Sequence, residues 1–179
     1  MRHANIPTQA KTGLEWVTVV LCRYLEHLRA RSYPDCQVPK RKSIDRTGGL
    51  SIDQVLAAAR ARLRRLSPDE AYAAMVETEA ILVDIRPEGQ RAIEGSIAGA
   101  LVVERNVLEW RFDPASSARL PAATDHDVQV IVFCSEGYAS SLAAISLQDI
   151  GLCRATDMIG GFQAWSTMGL PIVPPSEAP

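Results

Sequence analysis

The 179-residue sequence contains no apolar run long enough to cross a membrane. The nearest candidate, Val17 to Cys22, is bounded by Glu15 and Arg23, whereas a membrane-spanning helix needs about 20 apolar residues. The same stretch is too short for a secretory signal peptide, and no small-residue cleavage site follows it. We therefore predict a cytoplasmic protein without a membrane partner.

Cysteine and histidine are also scarce. The four cysteines form no C-x-x-C pair and the three histidines are scattered, which disfavours a zinc site. In a chain without an export signal, we interpret the cysteines as thiols rather than as a disulfide framework. Apolar residues make up 47% of the chain and charged residues 22%, proportions that are typical of a globular domain and exclude wholesale disorder.

Charge is unevenly distributed along the chain. Residues 1–66 carry 13 Lys and Arg against 5 Asp and Glu, a net charge of +8, whereas residues 67–179 carry a net charge of −10. Such an asymmetry indicates segments with different roles. The basic run Lys40-Arg41-Lys42 could contact a nucleic acid, but such a run is more often a solvated linker, so we predict no nucleic-acid partner.

Patterns of apolar and capping residues divide the chain. We predict three parts: a basic, partly disordered extension over 1–50 with a helix over 14–30, a connecting helix over 51–66, and a compact domain over 67–175. Ser51 with Gln54, and Ser67 with Glu70, are capping-box pairs that predict helix starts. For Leu63 to Leu66 the pattern leaves both a helix end and a short strand open.

The compact domain alternates apolar strands with helices. Ile81–Val83, Leu101–Val103 and Val128–Phe133 are nearly uninterrupted apolar runs, which is typical of parallel strands buried on both faces. A fourth strand is predicted over Ala155–Ile159. Helices are predicted over 88–94, 106–110, 140–150 and 162–168. The fold class is therefore α/β, an open and mostly parallel sheet with helices on both faces.

One loop carries the chemistry. The third strand ends at Cys134, and a helix begins near Ser140 after a loop that contains Gly137. Ligand sites in open α/β sheets lie at the carboxyl ends of strands. A short loop wound around a cysteine directs backbone N–H groups at it, and the following helix adds its positive end. Both effects favour a thiolate, so Cys134 is the predicted nucleophile.

Four motifs in order resemble those of the rhodanese-like family. They are Ile81-Leu82-Val83-Asp84-Ile85-Arg86, Gly95-Ser96-Ile97-Ala98-Gly99-Ala100, Cys134-Ser135-Glu136-Gly137-Tyr138-Ala139-Ser140, and Gly160-Gly161-Phe162-Gln163-Ala164-Trp165 followed by Gly169-Leu170-Pro171. The resemblance implies a sulfurtransferase that carries sulfane sulfur as a persulfide on Cys134. It further implies that Ser135, Glu136, Gly137, Tyr138, Ala139 and Ser140 bind the substrate, without a metal or organic cofactor.

The partners implied by the resemblance are a small sulfur donor or a protein persulfide, and a thiol or cyanide acceptor. Asp84 and Arg86 either orient the substrate or form a structural ion pair. Position 139 is Ala where many members have Arg, and Glu136 adds a negative charge, so the loop disfavours the dianion thiosulfate. Arg105 or Arg111 could compensate from a neighbouring loop. The oligomeric state is not predicted.

Two other functions compete with the sulfurtransferase. A non-catalytic module could use the same fold to bind a partner, although such modules usually lack the loop cysteine. A cysteine phosphatase or arsenate reductase would need the pattern Cys-x5-Arg, and here Ser140 stands at the arginine position. Without that guanidinium, bidentate binding of an oxyanion is lost.

Overall fold

The computed structural model describes residues 49–175. The predicted helix over 14–30 and the basic run at 40–42 lie outside the described residues. The helices are α1 Ile52–Arg62, α2 Pro68–Glu77, α3 Glu88–Glu94, α4 Leu108–Phe112, α5 Ala139–Asp149 and α6 Gly161–Thr167, with a 3-10 turn at Arg105–Val107. The strands are β1 Ile81–Asp84, β2 Leu101–Val102, β3 Val130–Phe133 and β4 Thr156–Asp157.

The two predicted capping boxes begin the first two helices. Ser51 accepts a hydrogen bond from the Gln54 N–H, and the Gln54 side chain accepts one from the Ser51 N–H. At the start of α2 the Ser67 N–H donates to Glu70 Oε2 at 2.9 Å. Both helix starts are thereby confirmed, because each pair satisfies N–H groups that the first turn of a helix leaves without a partner.

The strands form one parallel sheet in the order β2-β1-β3-β4. β1 pairs with β3 from Ile81 opposite Val130 to Asp84 opposite Phe133, and β2 and β4 flank this central pair. The predicted α/β class and parallel sheet are confirmed. The outer strands are shorter than predicted because only two residues of each pair with their neighbour.

Alternate residues of the central strands point into two apolar layers. Val83, Val130 and Val132 pack in the layer that contains residues of α4 and α5, and Leu82, Ile131 and Phe133 pack in the layer that contains residues of α2 and α6. This period-2 alternation explains why the strands read as continuous apolar runs. Trp165 of α6 is fully buried in the second of these layers.

The segment between α1 and α2 resolves the alternative that the sequence left open at Leu63 to Leu66. Leu66 forms a parallel bridge with Met158, directly after β4. Its N–H donates to Asp157 O at 3.1 Å, and the Ile159 N–H donates to Leu66 O at 2.8 Å. The end of this segment is therefore strand-like, and it brings residue 65 alongside Asp157.

The order of the strands determines where a ligand can bind. From β1 the chain crosses to β2 on one side and then to β3 on the other, so β1 and β3 diverge at a topological switch point. Such a point opens a crevice at the carboxyl ends of the strands. Among the described residues, no helix is long and apolar enough to span a membrane.

Candidate active site

The loop Ser135–Tyr138 joins β3 to α5 at the switch point, and Cys134 lies immediately before it. A cleft of about 510 Å³ opens above it. The residues after β1, including Arg86, form one wall, and Arg105 and Gln163 contribute to others. The sheet therefore places the predicted nucleophile where a small substrate can reach it.

The sulfur of Cys134 lies among hydrogen-bond donors. The Gly137 N–H donates to Sγ at 3.2 Å, and the Ser140 hydroxyl lies 3.5 Å from it. Burial raises the pKa of the Cys134 thiol, but hydrogen bonds from the Ser140 hydroxyl and from the N–H groups of Ser140, Glu136 and Gly137 outweigh it. The pKa of Cys134 is therefore lower than its ordinary value.

The Ser140 hydroxyl lies between the Cys134 sulfur and the carboxylate of Asp157. Ser140 Oγ is also 3.4 Å from Asp157 Oδ2, but that oxygen accepts a much shorter bond of 2.6 Å from the Ser141 hydroxyl. Arg65 satisfies the same carboxylate with two further hydrogen bonds. The Ser140 hydroxyl thus lies within reach of both acceptors, and its hydrogen bond to the Cys134 sulfur lowers the pKa of the thiol.

Replacing Ser140 by alanine is expected to raise the pKa of Cys134 toward the ordinary thiol value, because the largest of the contributions that lower it is lost. The rate of alkylation by iodoacetamide should then reach its half-maximum at higher pH. Rates should fall near neutral pH and converge with those of the wild type once both thiols are ionised. Ser146→Ala, on the same helix but hydrogen-bonded to Leu142 O and Arg105, is the control. An unchanged midpoint for Ser140→Ala would contradict this role.

Two glycines allow the loop to pack against the start of α6. Gly137 has φ +79°, and a Cβ there would lie 2.8 Å from Gly160 N. Gly161 has φ +58°, and a Cβ there would lie 2.3 Å from Cys134 O. The N–H groups of Phe162 and Gln163 donate to the carbonyl oxygens of Cys134 and Ser135 at 2.8 and 3.0 Å. The first turn of α6 thus holds the loop through these two hydrogen bonds, and the absence of side chains at Gly137 and Gly161 leaves room for the close approach.

A chain of charged groups holds the other side of the loop. The Ser135 hydroxyl donates to Glu94, with oxygen–oxygen distances of 2.8 and 3.0 Å, and Glu94 accepts a hydrogen bond of 2.8 Å from Arg86. Burial raises the pKa of Glu94, but the bonds from Ser135 and Arg86 outweigh it and lower the pKa overall. Glu94 is therefore a carboxylate that fixes Ser135.

Arg86 is enclosed by protein partners. It forms a bidentate pair with Asp84, with a shortest N–O distance of 2.6 Å, and it also donates to Gly95 O at 2.9 Å. Its guanidinium carbon lies 3.9 Å from the ring centroid of Phe162. Arg86 lines the cleft, but its donors are directed to Asp84, Glu94 and Gly95, which favours the structural interpretation of this pair.

The remaining predicted residues divide between the cleft and its supports. Ser135, Glu136, Tyr138 and Ala139 line the cleft. Arg105 also lines it, but its charge is paired with Glu109 at 2.8 Å. The other compensating cation that the sequence suggested, Arg111, donates to Ala118 O. Arg111 does not line the cleft, so only Arg105 is in place to contribute.

Sequence reasoning missed the buried Asp157 and its partner Arg65. Arg65 binds both carboxylate oxygens, at 2.8 and 3.0 Å, and the Ser141 hydroxyl completes the set. No local pattern could reveal this pair, because its two members are 92 residues apart in the chain. The pair contacts the loop that follows Cys134, because Arg65 Nη2 donates to Gly137 O and Asp157 Oδ2 lies 3.4 Å from Ser140 Oγ.

The cysteines differ in state. Cys134 is a free thiol. Cys153 is disulfide-bonded, so the prediction that all the cysteines are thiols is wrong for this residue. The error has a physical reason, since nothing in sequence spacing identifies a pair formed only through tertiary structure. Cys153 is therefore not available as a second thiol for the chemistry of Cys134.

A model of the rhodanese-like domain matches residues 67–168, which is more than half of the chain. The chain belongs to the rhodanese-like family. A thiosulfate sulfurtransferase GlpE from Pseudomonas fluorescens is 35% identical over 104 residues, covering 58% of this chain and 85% of the relative. The resemblance drawn from the four motifs is thereby confirmed.

Solved structures agree on the rhodanese-like fold. A protein of unknown function from Rhodopseudomonas palustris, described as a possible tyrosine phosphatase, has a TM-score of 0.63 at 29% identity, covering 76% of this chain and 99% of that one. A thiosulfate sulfurtransferase from Pseudomonas aeruginosa has a TM-score of 0.56 at 22% identity, covering 68% of this chain and 22% of that one. The second likeness concerns the fold alone.

Proposed function

We propose that this rhodanese-like protein is a sulfurtransferase that carries sulfane sulfur on Cys134. The observation that carries the proposal is the environment of the Cys134 sulfur. Cys134 is a free thiol whose pKa is lowered, and its sulfur accepts hydrogen bonds from N–H groups of its own loop. The residue also lines the cleft. A nucleophilic thiolate within a cradle of backbone donors suits covalent transfer of a group that bears negative charge.

The reaction proceeds in two steps that balance without a redox cofactor. The Cys134 thiolate attacks the terminal sulfane sulfur of the donor, and a sulfur–sulfur bond forms at Cys134. The bond between that sulfur and the rest of the donor breaks, and its electron pair leaves with the donor remnant. A nucleophilic acceptor then attacks the outer sulfur of the persulfide, and the electron pair of the broken bond returns to Cys134 as a thiolate.

Charges in the cleft favour a donor with fewer than two negative charges. Glu136 is exposed at the loop, while the cations Arg86 and Arg105 are already paired with carboxylates. A dianion such as thiosulfate would therefore be repelled by the Glu136 carboxylate at the entrance. A protein-bound or cysteine-derived persulfide fits this charge distribution better.

The test is intact-mass spectrometry of the purified protein after incubation with thiosulfate, mercaptopyruvate or a cysteine desulfurase with cysteine. We expect the mass of one added sulfur, mapped to the peptide of Cys134 and removed by cyanide, with the desulfurase as the best donor. If no donor adds sulfur while Cys134 still reacts with iodoacetamide, the proposal fails and a binding module becomes the better interpretation.

A phosphatase is the second candidate, since the Rhodopseudomonas palustris neighbour is described as a possible tyrosine phosphatase. In this chain Ser140 stands at the position of the arginine that such enzymes need, and its side chain bonds to the Cys134 sulfur. Hydrolysis of p-nitrophenyl phosphate that depends on Cys134 would favour the phosphatase. We expect none.

A further inference from the structure

Two arginines from outside the matched domain contact the loop that follows Cys134. Arg60 Nη2 donates to the carbonyl oxygen of Gly137 at 2.8 Å, and Arg65 Nη2 donates to the same oxygen at 3.2 Å. Both residues precede position 67, where the family match begins. A backbone carbonyl that accepts from two guanidinium groups is held by charge-assisted hydrogen bonds, which are stronger than those between neutral groups.

Arg65 is itself rigidly placed. Its guanidinium forms the bidentate pair with Asp157, whose side chain is completely buried at the end of β4. The neighbouring Leu66 is bridged to Met158. Arg65 therefore connects the carboxyl end of β4 to the loop.

Arg60 reaches the loop from α1 and contacts two of its successive residues. Besides Gly137 O, its guanidinium carbon lies 5.3 Å from the ring centroid of Tyr138, within the range of a cation–π contact. Its Nε also donates to the Ser141 hydroxyl at 3.3 Å. Packing of α1 through the buried Leu56 and Ala59 holds Arg60 over the loop.

Peptide geometry gives these contacts a consequence for the cradle. In a planar trans peptide the carbonyl and the N–H of the next residue point in opposite directions. The structure contains no cis peptide bond among the described residues, so holding Gly137 O toward the arginines turns the Tyr138 N–H away from them. The N–H groups of Glu136, Gly137 and Ser140 in the same loop already donate to Cys134.

We propose that Arg60 and Arg65 are positioning residues that orient the Gly137–Tyr138 peptide, so that the Tyr138 N–H faces the outer sulfur carried on Cys134. The proposal rests on the sulfurtransferase function proposed above and deepens it. It makes the segment before the matched domain a part of the active site. Neither arginine touches the reacting atoms, and both act through the backbone of the loop.

The test compares Arg60→Gln, Arg60→Lys and the double variant Arg60→Gln/Arg65→Gln with the wild type in steady-state transfer of sulfur to cyanide, with a cysteine desulfurase and cysteine as the donor. Losing one oriented donor at a charged sulfur should lower kcat by about tenfold in Arg60→Gln, and further in the double variant. KM for cyanide should be unchanged. Arg60→Lys keeps a cationic donor and should recover part of kcat.

Arg62→Gln is the matched control, because Arg62 lies on the same helix but is paired with Asp149, 2.7 Å away, rather than with the loop. It should keep the kcat of the wild type. The pH midpoint of Cys134 alkylation should stay the same in Arg60→Gln, since the donors to Sγ itself remain. A fall in kcat accompanied by a shift of that pH midpoint would mean that the whole loop is disordered, and it would overturn the proposal.

The proposal also fails if the double variant retains the kcat of the wild type. Persulfide formation is measured by mass on the same wild-type sample. If the wild type forms no persulfide, both the proposed function and this inference are wrong. If the wild type forms a persulfide and the arginine variants turn over normally, only this inference is wrong.

Discussion

Replacing Cys134 by serine is expected to lower sulfur transfer by at least about a thousandfold, because removal of a covalent nucleophile leaves only binding and electrostatic effects. A serine hydroxyl remains protonated in the surroundings that favour the thiolate, and it forms no persulfide. Intact mass measures formation of the persulfide, and the rate of cyanide-dependent discharge measures transfer of its outer sulfur to the acceptor. Both should vanish together.

The fold should tolerate this substitution, since the two side chains are nearly isosteric and Cys134 is only partly buried. We expect the thermal midpoint of Cys134→Ser to stay close to that of the wild type. Turnover retained by this variant would exclude a persulfide on Cys134 as the intermediate. If Cys134→Ser loses turnover and also unfolds, the chemical role is tested with wild-type protein whose Cys134 has been alkylated. That protein should be folded and inactive.

Replacing Gly161 by alanine is expected to damage both the fold and the loop. Forcing an L-residue into the left-handed region and overpacking against the Cys134 carbonyl together should cost about 2–5 kcal/mol of stability. The carbonyl lies 2.3 Å from the added Cβ and belongs to the backbone, so the loop itself must move. A displacement of about 1 Å at the nucleophile should lower activity by about a hundredfold. Urea unfolding and sulfur transfer measure the two effects.

Gly169→Ala separates the two causes of this loss. Gly169 has φ +70°, close to the +58° of Gly161, but a Cβ there meets no atom within 4 Å. It should therefore show only the conformational strain, about 1–2 kcal/mol, with activity retained. Equal losses of activity in the two variants would mean that the contact between Gly161 and the loop has no functional role.

Most of the elements could be predicted because their signals are local. The capping pairs at Ser51 and Ser67 lie within one helical turn, and the buried strands read as short apolar runs. The same holds for the loop at Cys134, since a strand, a cysteine, a glycine in the loop and a helix follow one another directly. Each of these features is specified by residues a few positions apart, for which sequence order is a good guide to distance.

The supports of the site were not predictable in this way. The role of Arg86 was left open because the sequence could not show that Asp84, Glu94 and Gly95 O would surround its guanidinium. Glu94 in turn fixes Ser135, which is 41 residues further along the chain. Such a network exists only once β1 and β3 are side by side.

The sequence by itself determined the α/β class, the family and the place of Cys134 at the end of β3, because motifs and periodicities are properties of neighbouring residues. Only the tertiary structure decided that Arg60 and Arg65, 77 and 72 residues before Gly137, hold its carbonyl group. A hydrogen bond depends on distances and angles within a few tenths of an ångström. Those are fixed by the packing of α1 and β4 around the loop, which no local pattern encodes.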